Sequence, residues 1–167
     1  KAAESKMDDF GYIEIQDVTS QWGVFAIAGP KSRDVLKAVI NDADPETALT
    51  NKRFPWLSAK QIELGMCPVN AIRVAYTGEL GWELYHPIAY NLHLFEEICR
   101  AGEAHGLKHC GYRAIESLRL EKSYRAIYRD LDLEHTALES GLDRFIKWEK
   151  DDFTGREALL HQRESGL

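Results

Sequence analysis

At 167 residues the chain has the size of one ordinary domain, and 44% apolar with 29% charged residues is enough material for a globular core. A formal net charge of −6 speaks against a nucleic-acid binder, which usually carries a basic face, and no apolar run is long enough to cross a bilayer. The three cysteines, Cys67, Cys99 and Cys110, are odd in number and lack paired-zinc spacing. They read as buried structural thiols in a reducing interior, either the cytoplasm or, in a eukaryote, the mitochondrial matrix.

Gly11 to Gln16 alternates apolar and polar residues, as a half-buried strand does. Trp22 to Ala28 is nearly continuously apolar and is predicted to be a buried strand, broken by Gly29-Pro30. Pro30 suits the first turn of a helix that runs to about Ile40, with Val35, Leu36, Val39 and Ile40 inward. Asn41 to Trp56 is polar and contains two prolines, so it reads as a long connection. Lys60 to Leu64 and Val69 to Tyr76 are strand candidates joined near Gly65 to Pro68. A turn at Thr77 to Gly81 leads into a further strand from Trp82 to His86.

Pro87 opens the next helix, with Leu92, Phe95, Ile98 and Cys99 on one face and a stop at Gly106. Gly111 to Tyr124 is predicted to be a second helix with Tyr112, Ile115 and Leu118 inward. Arg144 to Trp148 reads as a short strand. Thr154 with Glu157 is a capping-box signature for a last helix from Gly155. Hairpins with helices on one side indicate an α+β fold with an antiparallel or mixed sheet, and the chain reads as one domain.

The segment Arg73 to Tyr85 carries the most chemistry. Alternation puts Trp82 and Leu84 on one face of a strand and Gly81, Glu83 and Tyr85 on the other. Glu83 is therefore either a solvated outer-face residue or a carboxylate lining a cleft, with Gly81 removing bulk beside it. Arg113, Arg119, Lys122, Arg125 and Arg129 form a basic run in an acidic chain. That run is either a helix face paired with Glu116 and Glu121 or an attractor for an anionic ligand. The six histidines show no ligand spacing, so no metal site is assigned.

Tyr76-Thr-Gly-Glu-Leu-Gly-Trp-Glu83 resembles the Y-T-G-E-x-G-x-E signature of the glycine-cleavage T-protein (aminomethyltransferase) family. Gly111 to Lys122 is similar to the G-x-x-A-x-x-S-L-R-x-E-K segment of its dimethylglycine and sarcosine dehydrogenase branch. Asp152 to Leu159 and the stretch Trp22 to Leu36 fit the same family, in family order. The resemblance implies the ferredoxin-like part of a folate-binding domain, with tetrahydrofolate as cofactor. It carries pterin contacts onto Tyr76 and Glu83, and it makes Arg119 a candidate partner for the carboxylates of the folate tail. Glu79, in the turn, is given a structural role. Ile115 stands where T-proteins proper carry arginine, as in the dehydrogenase branch.

The family's catalytic aspartate belongs to a motif upstream of the region that Trp22 begins, and no catalytic residue is assigned here. The chain is therefore expected to be a fragment of the middle and later part of the domain, self-associating as a homodimer through an exposed apolar surface. The implied parent is an enzyme of N-methyl amine demethylation. Its flavin domain, holding FAD outside this chain, forms an iminium, and the folate domain captures the one-carbon unit as 5,10-methylenetetrahydrofolate. No glycine-rich nucleotide fingerprint occurs in the chain. The rival readings are a flavin-independent folate methyltransferase or demethylase of the same superfamily, and a non-enzymatic folate-binding module.

Overall fold

The computed structural model describes residues 14–166. The chain divides into two compact units, Lys1–Tyr112 and Arg113–Leu167. The first is a four-stranded antiparallel sheet with helices on one face. Its strands are β1 (Trp22–Ala28), β2 (Ala59–Leu64), β3 (Cys67–Ile72) and β4 (Gly81–Pro87), in the spatial order β1-β4-β3-β2. Among the described residues its helices are α1 (Ser32–Lys37), α2 (Pro45–Ala48) and α3 (Asn91–Glu103).

The register explains the layering. Phe25 opposes Leu84, Ile27 opposes Trp82, Ala71 opposes Leu84 and Ile62 opposes Val69, so one face of the sheet is almost wholly apolar. Val35 and Leu36 of α1 join Leu94 and Ile98 of α3 in the core on that face. Full burial of a side chain of this size contributes about 1.5–3 kcal/mol. The opposite face carries Val24, Ala26, Glu83, Tyr85, Ile72, Asn70 and Gln61, all exposed or half-buried.

The four inward residues expected of the first helix are all buried. The connection after it is more structured than expected. It contains α2, opened by Pro45, and contributes Leu49 and Phe54 to the core. Cys67 is buried, Cys99 half-buried and Cys110 exposed, so the expectation of buried thiols holds for the first of them.

β3 ends four residues earlier than the apolar run suggested. The backbone of Arg73 still bonds to Ser58 and Leu57, but the Val74 amide then donates back to the Ile72 carbonyl and turns the chain away. The expected inward face of α3 is corrected. Leu94 and Ile98 are buried, while Leu92 and Phe95 are exposed. Two apolar stripes compete on this helix, and contact with the core selects the one on which Gly102 lets Leu107 close in; a Cβ there would lie 2.5 Å from the Leu107 Cβ.

The second unit holds most of α4 (Tyr112–Glu121), then turns, then α5 (Arg156–Ser165). Tyr112, expected inward, is exposed, whereas Ile115 and Leu118 are half-buried. The strand expected at Arg144 to Trp148 is instead a 3₁₀ turn at Asp143–Phe145. All four strands of the described residues precede Ile88, so this segment finds no ladder and closes its bonds locally, Phe145 to Leu142 and Ile146 to Asp143. The Thr154 capping box does not form. Gly155, in the left-handed region at φ 90°, caps α5 without a side-chain bond. Of the strand expected from Gly11, residues 11–13 lie outside the described residues, and Glu14 to Gln16 are irregular.

Candidate functional site

The loop from Arg73 to Leu80 is fastened at both ends. At its start, the Arg73 backbone pairs with Ser58 and Leu57. At its end, the Gly29 amide donates to the Leu80 carbonyl at 2.8 Å, and the buried Ser32 hydroxyl reaches the Leu80 carbonyl at 3.0 Å. Between them, the Gly78 amide closes a turn on the Ala75 carbonyl. The loop then presses onto the start of β4. A Cβ on Gly81 would lie 2.7 Å from the Ile27 carbonyl oxygen and 2.8 Å from the Ala75 Cβ. Gly81 is therefore needed for close packing of loop on strand, which corrects the idea that it clears room for a ligand.

Glu83 sits two residues on, in the middle of a central strand, flanked by Ala26 on β1 and Ile72 on β3. It lies on the sheet face opposite buried Trp82 and Leu84, as strand alternation required. Tyr85 shares that face and donates its hydroxyl to Glu83 Oε2 at 2.8 Å. That bond, reinforced by partial burial and the negative charge of Glu83, pushes the Tyr85 hydroxyl above its usual pKa. The result is a half-buried carboxylate braced from one side, with small and aliphatic neighbours on both flanking strands. Such a group accepts paired N–H donors, and apolar walls strengthen those bonds.

Tyr76 lies in the loop that enters this strand and is 40% exposed. Arg119 stands in the second unit on α4. It is buried, and its guanidinium is bonded to Glu116, to Asp130 and to the Tyr124 carbonyl. Glu116 also receives Arg129 at 3.0 Å. Arg119 thus forms the centre of a charged network, with two carboxylates already on its Nη atoms. Tyr85 had no assigned role in the sequence. Its spacing of two from Glu83 on a strand was the available signal, because such pairs share a face.

The family described as the GCVT N-terminal domain matches residues 1–150. The chain is 41% identical over 159 residues to dimethylglycine dehydrogenase, mitochondrial, of Rattus norvegicus, covering 94% of this chain and 18% of that protein. It is 41% identical over 155 residues to sarcosine dehydrogenase, mitochondrial, of Mus musculus, covering 92% of this chain and 16% of that protein. It is 33% identical over 155 residues to the aminomethyltransferase of Thermoanaerobacter sp. (strain X514), covering 93% of this chain and 40% of that protein. The chain therefore spans less than half the length of each of these relatives.

Proposed function

We propose, from the premise that the chain belongs to the GCVT N-terminal domain family, that it forms the tetrahydrofolate-binding part of an enzyme of N-methyl amine demethylation. The similarity to proteins named for dimethylglycine and sarcosine supports the amine class, and the similarity to an aminomethyltransferase supports one-carbon transfer. The observation that carries the reading is the Glu83 carboxylate, braced by Tyr85 on the open face of the sheet.

The pterin edge presents a ring N–H beside an exocyclic amine. Glu83 offers two parallel acceptors to that pair, as a carboxylate does to guanidinium. The Tyr85 hydroxyl fixes the plane of the carboxylate, so less side-chain freedom is lost on binding. Tyr76 supplies an aromatic surface beside the pterin. Arg119, with Glu116 and Asp130 on its guanidinium, organises the turn after α4 and is assigned no contact with the folate tail. Tetrahydrofolate, when bound, supplies the nitrogens that capture the one-carbon unit as 5,10-methylenetetrahydrofolate. The residues of this chain hold it in place and limit access of water that would release formaldehyde. FAD belongs to the parent protein outside this chain, and the mitochondrial matrix is the compartment we propose for a eukaryotic host.

Titration calorimetry with tetrahydrofolate, on a protein carrying this chain in full, tests the reading. Glu83→Gln is expected to weaken binding by about 1.5–3 kcal/mol, the range for a hydrogen bond to a charged group. An unchanged affinity in a folded variant would remove Glu83 from the pterin site.

A further inference from the structure

Arg33 on α1, Lys60 on β2 and Arg73 after β3 are distant in sequence but gather on one aromatic pair. The guanidinium carbons of Arg33 and Arg73 stand 5.9 Å and 5.8 Å from the Trp82 ring centre, and Lys60 Nζ stands 5.7 Å from that of Phe54. The two rings meet edge to face with centres 6.2 Å apart. Three positive charges thus converge within a chain of net charge −6. Among the described residues, none of the three takes part in an ion pair. The hydrogen-bond partners of the two arginine side chains are neutral. Arg33 donates to Asn51 Oδ1 at 2.7 Å and Arg73 to the Phe54 carbonyl at 2.6 Å.

Two further donors, Arg33 Nε and the indole N–H of fully buried Trp82, have no acceptor among the described residues. Ring quadrupoles offset part of the repulsion between cations, but they give these N–H groups nothing to bond. Burial first, and the charge of Arg33 second, hold Arg73 below its usual basicity. Every uncompensated group here is a cation or a donor, and the complement is an acceptor bearing negative charge. A planar guanidinium fork is suited to the paired oxygens of such a group.

The geometry points to a small-oxyanion site, for phosphate or carboxylate, between Arg33 and Arg73 with Lys60 at its rim. Trp82 faces away from Glu83 across the sheet, so this site is distinct from the one that Glu83 marks and does not depend on the folate reading.

The test uses the full, isotope-labelled chain titrated with sodium phosphate and, separately, sodium acetate, with sodium chloride of matched ionic strength as reference. NMR follows the Trp82 indole N–H and the Arg33 Nε–H. A saturable shift is expected with Kd of about 1 mM or tighter. Arg33→Gln is expected to weaken it at least about tenfold, and Lys60→Gln, on an exposed strand, by less. Arg73 is left intact because it also fastens the Phe54 carbonyl. Saturation by phosphate alone, acetate alone or both supports the site and tells which oxyanion it takes. Shifts no larger than those in chloride overturn it, as does saturation that Arg33→Gln and Lys60→Gln both leave unchanged.

Discussion

Among the described residues, the buried apolar core lies between Ile27 and Ile98, whereas from Arg113 onward Arg119 alone is buried. The first unit is closed by helices laid on a sheet. The second is organised by polar side chains that satisfy its turns. Asp130 accepts both the Arg119 guanidinium and the Ala126 amide, Asp132 caps the amides of Glu134 and His135, and Glu139 caps Thr136. The contrast teaches that one family pattern runs through two kinds of construction. Burial of apolar area is insensitive to pH, while carboxylate-capped turns depend on ionisation.

The largest expected effect tests burial. Trp82→Ala removes a fully buried side chain and is expected to cost about 3–5 kcal/mol in denaturant unfolding. Leu133→Ala in the second unit removes a fully exposed one and is expected to stay within about 0.5 kcal/mol. Comparable losses in the two variants would break the contrast. Gly81→Ala tests close packing in the first unit. Its Cβ meets a backbone carbonyl that cannot easily yield, so about 1–3 kcal/mol of stability is expected to be lost. A variant as stable as the parent protein would show that the loop can lift from the strand at little cost.

Tyr85→Phe sharpens the site within the stable unit. It keeps the ring and removes only the donor to Glu83, so tetrahydrofolate affinity is expected to fall by about 0.5–1.5 kcal/mol with the fold intact. A loss as large as that from Glu83→Gln would mean that Tyr85 itself contacts the ligand.

The last test is pH. The Arg119 hydrogen bond holds Glu116 below the usual carboxylate range, and the Ala126 amide, aided by Arg119, does the same for Asp130. A carboxylate whose folded pKa is depressed stabilises above its unfolded value of about 4 and loses that contribution as pH falls through the folded value. Amide protection in α4 and the turn at residues 126–131 is therefore expected to fall on acidification below about pH 4, before protection in β4 does. Hydrogen exchange followed by NMR checks it, and simultaneous loss in both units would count against separate construction.

Much of the first unit was legible because its strands and first helix carry strong local signals. Trp22 to Ala28 and Trp82 to His86 both form the expected strands, but the first lies at the sheet edge with Ile27 its one buried residue, which corrects the expectation of a buried strand; Val35, Leu36, Val39 and Ile40 repeat at helical spacing. The placement of Glu83 opposite Trp82 followed from alternation alone, because successive side chains on a strand point to opposite faces. Signals that needed a partner were misread. The face expected of α3 shares only Ile98 with the buried one, Leu94, Ile98 and Gly102, and Arg144 to Trp148 has strand-like residues but closes its bonds locally around a 3₁₀ turn.

The sequence by itself therefore determined the four strands and the first and last helices of the first unit, the inward face of β4 and the identity of the family. Those properties rest on local periodicity and on contiguous motifs. Only the tertiary structure decided that Tyr85 braces Glu83, that Gly81 is filled by Ala75 and the Ile27 carbonyl, and that Arg119 is enclosed by Glu116 and Asp130. It alone brought Arg33, Lys60 and Arg73 onto Phe54 and Trp82. Each of these depends on distances between side chains, several of them far apart along the chain, and those distances are set when the sheet and its helices close on one core.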